Sequence, residues 1–230
     1  SIRKELGIPY ELGLSYNTMG IVMEQGGRYD DAADLYDKAL VAFEEARSER
    51  GRALALINLG RLRRVTNSFD EAIRYLDEAR AILERKSDYD YLVEALNELG
   101  CVFRHRREEE DWEKALRWLE ESLELSRTVG NTFREADNLE DLSELYVGWA
   151  EQELEWGEQQ KADEHLRLAE ERGEEVLALA DEHGYPYLKA KTSRTFGDVA
   201  YVRGDKEQAF DHYLDTCAVM ADIIDSAWGS

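Results

Sequence analysis

The chain has 230 residues and a net charge of −22, with 43% hydrophobic and 35% charged residues and only two prolines. So acidic a surface repels a phosphate backbone throughout its approach, which excludes a nucleic-acid partner. No apolar run nears the 18 residues of a membrane span. Scarce Gly and Pro argue against many short strands, and abundant apolar residues at helical spacing argue against disorder. Cys101 and Cys217 belong to no metal-type cluster, and no charged-then-apolar leader opens the sequence; both point to a reducing, cytoplasmic setting without a signal peptide.

In chain order, the first helical segment carries Tyr16-Asn-Thr-Met-Gly20. The same pattern returns as Leu56-Ile-Asn-Leu-Gly60 and Leu96-Asn-Glu-Leu-Gly100, 40 residues apart each time, and more weakly as Leu139-Glu-Asp-Leu-Ser143 and Ser193-Arg-Thr-Phe-Gly197. After each small residue comes a second apolar pattern. Its alanines are Ala32, Ala72, Ala115, Ala162 and Ala209, followed four residues on by Tyr36, Leu76, Leu119, Leu166 and Tyr213. These offsets fall on one helical face. The spacing predicts five helix pairs: first (A) helices at 9–25, 49–66, 89–106, 132–156 and 186–203, and second (B) helices at 29–46, 69–86, 111–128, 159–182 and 206–225. Thirteen residues before each small residue stand Gly7, Arg47, Ser87, Gly130 and Gly184, at the expected ends of the preceding helices. Gly7-Ile-Pro-Tyr10 and Gly184-Tyr-Pro-Tyr187 read as the same turn, with Pro opening the next helix and residues 1–6 as the remnant of an earlier one. Small residues at the helix crossings and a large one between pairs make each pair depend on its neighbours, so the pairs stack into a single solenoid over 1–230, with repeats 9–46, 49–86, 89–128, 132–182 and 186–225.

This pattern, seen most fully in Tyr16, Met19, Gly20, Met23, Gly27, Tyr29, Ala32, Tyr36 and Ala39, resembles the tetratricopeptide-repeat family. The longer period is similar to the extended repeats of kinesin light chains and bacterial signalling ATPases. The resemblance implies an all-α, right-handed α-solenoid of antiparallel helix pairs whose A helices line a concave ligand groove. Repeat three departs from the pattern by three residues at Arg106–Asp111. Repeat four lacks its glycine and gains seven residues around Gly148–Gly157, where the array is expected to be least regular.

Positions −6, −3, +1 and +4 from each small residue share the A-helix face expected to line the groove. Read along the chain, that face turns basic at Arg61, Arg64 and Arg104, with Asn17 and Asn97 beside them. It turns acidic at Asp137, Glu140 and Glu144 and mixed at Arg194. Such a groove suits a bipolar extended peptide or partner helix, the arginines holding carboxylates through charge-assisted bonds. The alternative is that the arginines pair with Glu94, Glu98 or other acids inside the array. The carboxylate-clamp pattern of some family members is not reproduced, since the −3 positions read Asn17, Ile57 and Asn97. Phosphate-loop, nucleophile-elbow and zinc-helix motifs are missing and the four histidines are scattered, so no catalysis, cofactor or metal is expected. The tryptophans read as packing residues, with an exposed patch at Trp149 and Trp156 as the alternative. The last helix carries Cys217-Ala-Val-Met-Ala221 and Ile223-Ile224, apolar enough to suggest either an array cut from a longer one or a homodimer through a terminal helix. The expected role is therefore a peptide- or protein-binding sensor or scaffold, with self-association or signal reception as alternatives.

Overall fold

A computed structural model describes the backbone of residues 2–228 and the side chains of residues 8–226. Among these residues the chain is all-α, forming ten helices of the α-solenoid type and no strand. The helices are α1 (Ile2–Gln25), α2 (Tyr29–Glu45), α3 (Glu49–Val65), α4 (Phe69–Lys86), α5 (Tyr89–Arg106), α6 (Asp111–Val129), α7 (Thr132–Glu155), α8 (Gln159–His183), α9 (Pro186–Val202) and α10 (Lys206–Trp228). The expected turn at Gly7 is absent: α1 runs unbroken through Gly7 and Pro9. Only the second copy of that motif breaks the helix, with Gly184 left-handed at φ 71° and Pro186 opening α9.

Nine turns share one chemistry. Residues 27, 47, 67, 87, 107, 130, 157, 184 and 204 all adopt positive φ, five as glycine and four as Arg47, Asn67, Ser87 and Arg107. At most of them the next amide reaches back to a carbonyl five residues earlier, as in Arg28 N–H to Met23 O and Ser48 N–H to Phe43 O, both 2.9 Å. This left-handed close satisfies carbonyls that the helix leaves open and reverses the chain in two or three residues. Ser48 and Asn131 then cap the next helix by accepting from Gly51 N–H and Arg134 N–H.

Two compact units result, residues 1–118 and 119–230. In the first, α1 packs on α2 and α3 on α4, α2 packs on the following α3 and α4 on the following α5, and α1 touches α3 as α3 touches α5. Among the described residues no comparable contact joins α2 to α4, so α1, α3 and α5 form the tighter, inner row of this unit. Its core includes Ala32, Tyr36, Leu59 and Leu62, all fully buried, and beside it Ala39, Phe43 and Ala55. Burying a side chain of this size contributes about 2 kcal/mol. The glycines set the spacing. A methyl at Gly20 would stand 2.5 Å from the Tyr36 ring, one at Gly60 2.5 Å from Leu76, and one at Gly51 2.2 Å from Phe43.

In the second unit α7 pairs with α8, α8 packs on α9, α7 touches α9, and α9 pairs with α10. The seven extra residues expected to disturb repeat four instead lengthen α7 to 24 residues, about two further turns, and α8 matches it at 25 residues. Within the added length, Gly173 lies under Phe196, where a methyl would come within 2.4 Å of the ring.

Candidate functional site

The inner row of the first unit carries a connected set of polar side chains. Tyr36, at the crossing over Gly20, donates its hydroxyl to Glu24 Oε2 at 2.6 Å. Glu24 receives Arg61 Nε from α3 at 3.1 Å, and the same guanidinium donates to Asn58 Oδ1 at 2.8 Å and stands 3.7 Å from Glu94 of α5. Asn58 in turn donates to Asn17 Oδ1 at 2.7 Å. One turn further on, Arg64 Nε donates to Glu98 Oε2 at 3.0 Å. Burial pushes the Tyr36 phenol well above its ordinary value, and the bond to Glu24 adds to the effect, so it stays a neutral donor. Burial works against the charge on Arg61, yet Glu24 and Glu98 outweigh it and hold the guanidinium firmly protonated. Arg64 is held in the same way by Glu98.

The expected basic segment therefore carries its own counter-charges. Arg61 and Arg64 meet Glu24, Glu94 and Glu98 of neighbouring helices, as internal pairing requires. Both arginines are largely buried but not sealed off, with side chains 24% and 16% exposed. Arg104, half-buried, donates toward Cys101 Sγ at 3.8 Å, and Cys101 toward Asn97 Oδ1 at 3.9 Å.

A second set occupies the α7–α9 contact. Glu140 is 0% exposed, and its two oxygens accept from Thr192 Oγ1 at 2.6 Å and Thr195 Oγ1 at 2.7 Å. Burial raises its pKa despite the opposing pull of Lys191 and the two hydroxyls. Lys191 donates to Asp141 at 3.2 Å. Burial disfavours its charge, but Asp141, Glu144, Asp137 and Glu140 prevail and raise its pKa. Arg194 bridges Glu144 and Asp198, the latter at 2.9 Å. Asp198 also accepts the Tyr213 hydroxyl at 2.8 Å, and burial with this bond pushes that phenol up to about 12.

The chosen residues form two separate sets, Asn17, Arg61, Arg64, Asn97 and Arg104 in the first unit and Asp137, Glu140, Glu144 and Arg194 in the second, and one systematic correction applies to both. The −3 position does not open into a groove in the first four repeats: Asn17, Ile57, Asn97 and Glu140 are buried. Within each unit the A helices touch, α1 with α3, α3 with α5 and α7 with α9, and side chains on this line are buried there. Arg61, Arg64, Arg104, Asp137, Glu144 and Arg194 keep partial exposure. Asn58, Thr192 and Thr195 went unrecognised, because they sit off the chosen register and only neighbouring helices bring them to their partners. Trp156 is exposed, whereas Trp149 stacks on His165 with ring centroids 4.4 Å apart. Ile223 is half-buried and Ile224 is exposed on α10. Among the described residues no helix is long and apolar enough to cross a membrane.

Residues 11–85 and 95–132 match family models described as tetratricopeptide repeat. Among curated proteins none matches the sequence. Solved structures similar to the chain include a Rap protein complexed with Competence and Sporulation Factor, at TM-score 0.74 and 16% identity. That match covers 92% of this chain and 54% of the Rap chain, so the present chain spans about half the length of that structure. The nearly identical TPR-like repeats named for a Podosopora anserina kinesin light chain match at TM-score 0.63 and 16% identity, covering 94% of this chain and 97% of theirs. BtubC from P. vanneervenii matches at TM-score 0.65 and 17% identity, covering 97% and 92%. At these identities the likeness is one of fold. With the repeat signature in both matched segments and glycine-gated helix pairs in both units, the chain belongs to the tetratricopeptide-repeat family.

Proposed function

We propose that the chain is a non-catalytic protein-interaction scaffold that holds an extended protein segment along the row formed by α1, α3 and α5. The observation that carries this reading is the set of arginine–glutamate rungs on that row, whose arginine side chains keep 24% and 16% of their surface exposed. Arg61 is already oriented by Glu24, Asn58 and Glu94 and Arg64 by Glu98, so a ligand carboxylate that reaches them meets ordered donors and does not cost the entropy of ordering a free side chain. With three glutamates against two arginines, the rungs favour a ligand of mixed charge over a strongly acidic one. The solved Rap structure, which is complexed with Competence and Sporulation Factor, supports a ligand-receiving use of the fold. On this reading the chain serves as the sensor or scaffold part of a cytoplasmic signalling protein.

The test is capture of a mixed-charge peptide library by the parent chain and by Arg61→Gln and Arg64→Gln. Gln is preferred to Glu because a carboxylate at these positions would face Glu24, Glu94 and Glu98. Loss of at least about tenfold in affinity, with the helical circular-dichroism signal retained, is expected for removal of a charge-assisted contact. Peptide capture unchanged in both variants refutes the groove.

A further inference from the structure

A cleft of about 850 Å³ lies on the turn edge of the first unit, where the ends of α2 and α4 meet the starts of α3 and α5. Among the described residues its lining comes from these four helices and the turns between them alone. Four cations line it, Arg47, Arg50, Arg52 and Lys86, against three acids, Glu44, Glu49 and Asp88. The lining is thus one charge positive in a chain whose net charge is −22.

The acids orient three of the cations without neutralising the whole. Arg50 Nε stands 2.8 Å from Asp88, and the same guanidinium lies over the Tyr91 ring, 4.8 Å from its centroid. Lys86 Nζ is 2.6 Å from Glu49. Arg52 is 3.7 Å from Glu44 and also pairs with Glu78. The fourth cation, Arg47, is exposed, and its side chain makes no ion pair or hydrogen bond among the described residues. It sits at φ 53°, in the left-handed close that five of the nine turns fill with glycine. A cation held on strained backbone at the rim of a cleft points to a use for its charge.

We propose that this cleft receives a phosphoryl group carried on a phosphorylated segment of a partner protein. Three guanidinium forks and an ammonium offer more donors than the two oxygens of a carboxylate accept, and the fork matches phosphate oxygens in pairs. A phosphoryl ester carries about −1.5 to −2 at neutral pH, which takes up the positive charge that the acids leave over. The acidity of the whole chain opposes approach from a distance. At physiological salt that field fades within about 8 Å, so the contacts inside the cleft decide. The cleft is open along the turn edge, which admits a length of chain, whereas a small molecule depends on enclosure. It is also separate from the arginine–glutamate rungs: Arg61 lies 11 residues beyond Arg50 on α3, about 16 Å along the axis.

Two measurements on the 230-residue chain test the assignment. In the first, inorganic phosphate is titrated and the arginine Nε and Cζ signals are followed by carbon-detected NMR, with sodium chloride at matched ionic strength as the control. Saturable shifts are expected at Arg47 and Arg50, with Arg61 and with Arg74, an exposed arginine of α4 outside the cleft, unmoved. The second compares a peptide library fixed only at a central phosphoserine with the same library carrying serine. The phosphoserine library is expected to bind at least about tenfold tighter. That preference should vanish in Arg47→Gly and in Arg50→Gln and persist in Arg61→Gln. Glycine is chosen at 47 because it relaxes the turn, so lost binding is not lost folding. Phosphate shifts matched in chloride, or shared equally by Arg74, overturn the site. A preference lost in Arg61→Gln but kept in Arg47→Gly moves the phosphate to the rungs and overturns the cleft. Phosphate held in the cleft with no preference between the libraries overturns the protein-segment assignment in favour of a small phosphorylated molecule.

Discussion

The glycine under Tyr36 offers the sharpest test of how this fold is spaced. Replacing Gly20 with Ala places a methyl 2.5 Å and 2.7 Å from two ring carbons of Tyr36, where ordinary contact begins at 3.4 Å, so the ring or the helix must yield by nearly an ångström. The ring has little room: Tyr36 is fully buried and its hydroxyl is tied to Glu24 at 2.6 Å. Overpacking of this kind costs about 1–3 kcal/mol, and pulling the hydroxyl off a carboxylate costs about 1.5–3 kcal/mol more. Against this, Ala in a helix interior gains about 1 kcal/mol over Gly. The net expectation is a loss of about 1.5–5 kcal/mol. At about 2–4 °C per kcal/mol for a chain of this size, the melting temperature falls by several degrees or more. Urea denaturation followed by circular dichroism gives the free energy, and a double-mutant cycle identifies the cause. In a Tyr36→Ala background the clash is gone, and Gly20→Ala should become neutral or stabilising. A Gly20→Ala protein at least as stable as the parent refutes the reasoning, as does an unchanged cost in the Tyr36→Ala background.

The buried Glu140 makes a pH-dependent term. Its folded-state pKa lies above the ordinary 4.5, so its contribution is fully present below that pH and is lost as pH rises through the folded value. The urea midpoint of Glu140→Gln relative to the parent should therefore climb as pH is raised from about 4 to about 8; a flat or falling difference sinks the assignment. At the turns, Arg47 and Ser87 sit at φ 53°, where an L side chain costs about 1 kcal/mol that glycine avoids. Arg47→Gly and Ser87→Gly should each raise the melting temperature by about 1–3 °C, and a lowered value would contradict the turn account.

Legibility in the sequence followed the range of the interaction. The helix pairs could be read because glycine, alanine and large apolar residues recur at local offsets, and the same offsets set Gly20 under Tyr36 and Gly60 under Leu76. The fate of the arginines was less legible. Arg61 finds Glu24 from 37 residues before and Glu94 from 33 after, so its pairing depends on how A helices abut, which no single helix encodes. The same abutment buried the −3 line and recruited Thr192 and Thr195 to Glu140 across more than 50 residues. Pro9 misled for the opposite reason: it is a strong local breaker, yet α1 continues through it.

Among the described residues, the helix contacts within each unit join helices one or two places apart along the chain. With so little long-range stitching, amide hydrogens should exchange in a graded profile, fastest in the helices that lack a neighbour on one side. Loops close over short distances only, so each pair can form quickly from its own sequence once its neighbour is in place. Pulled from its ends, a unit built this way should yield one helix pair at a time instead of failing at a single force.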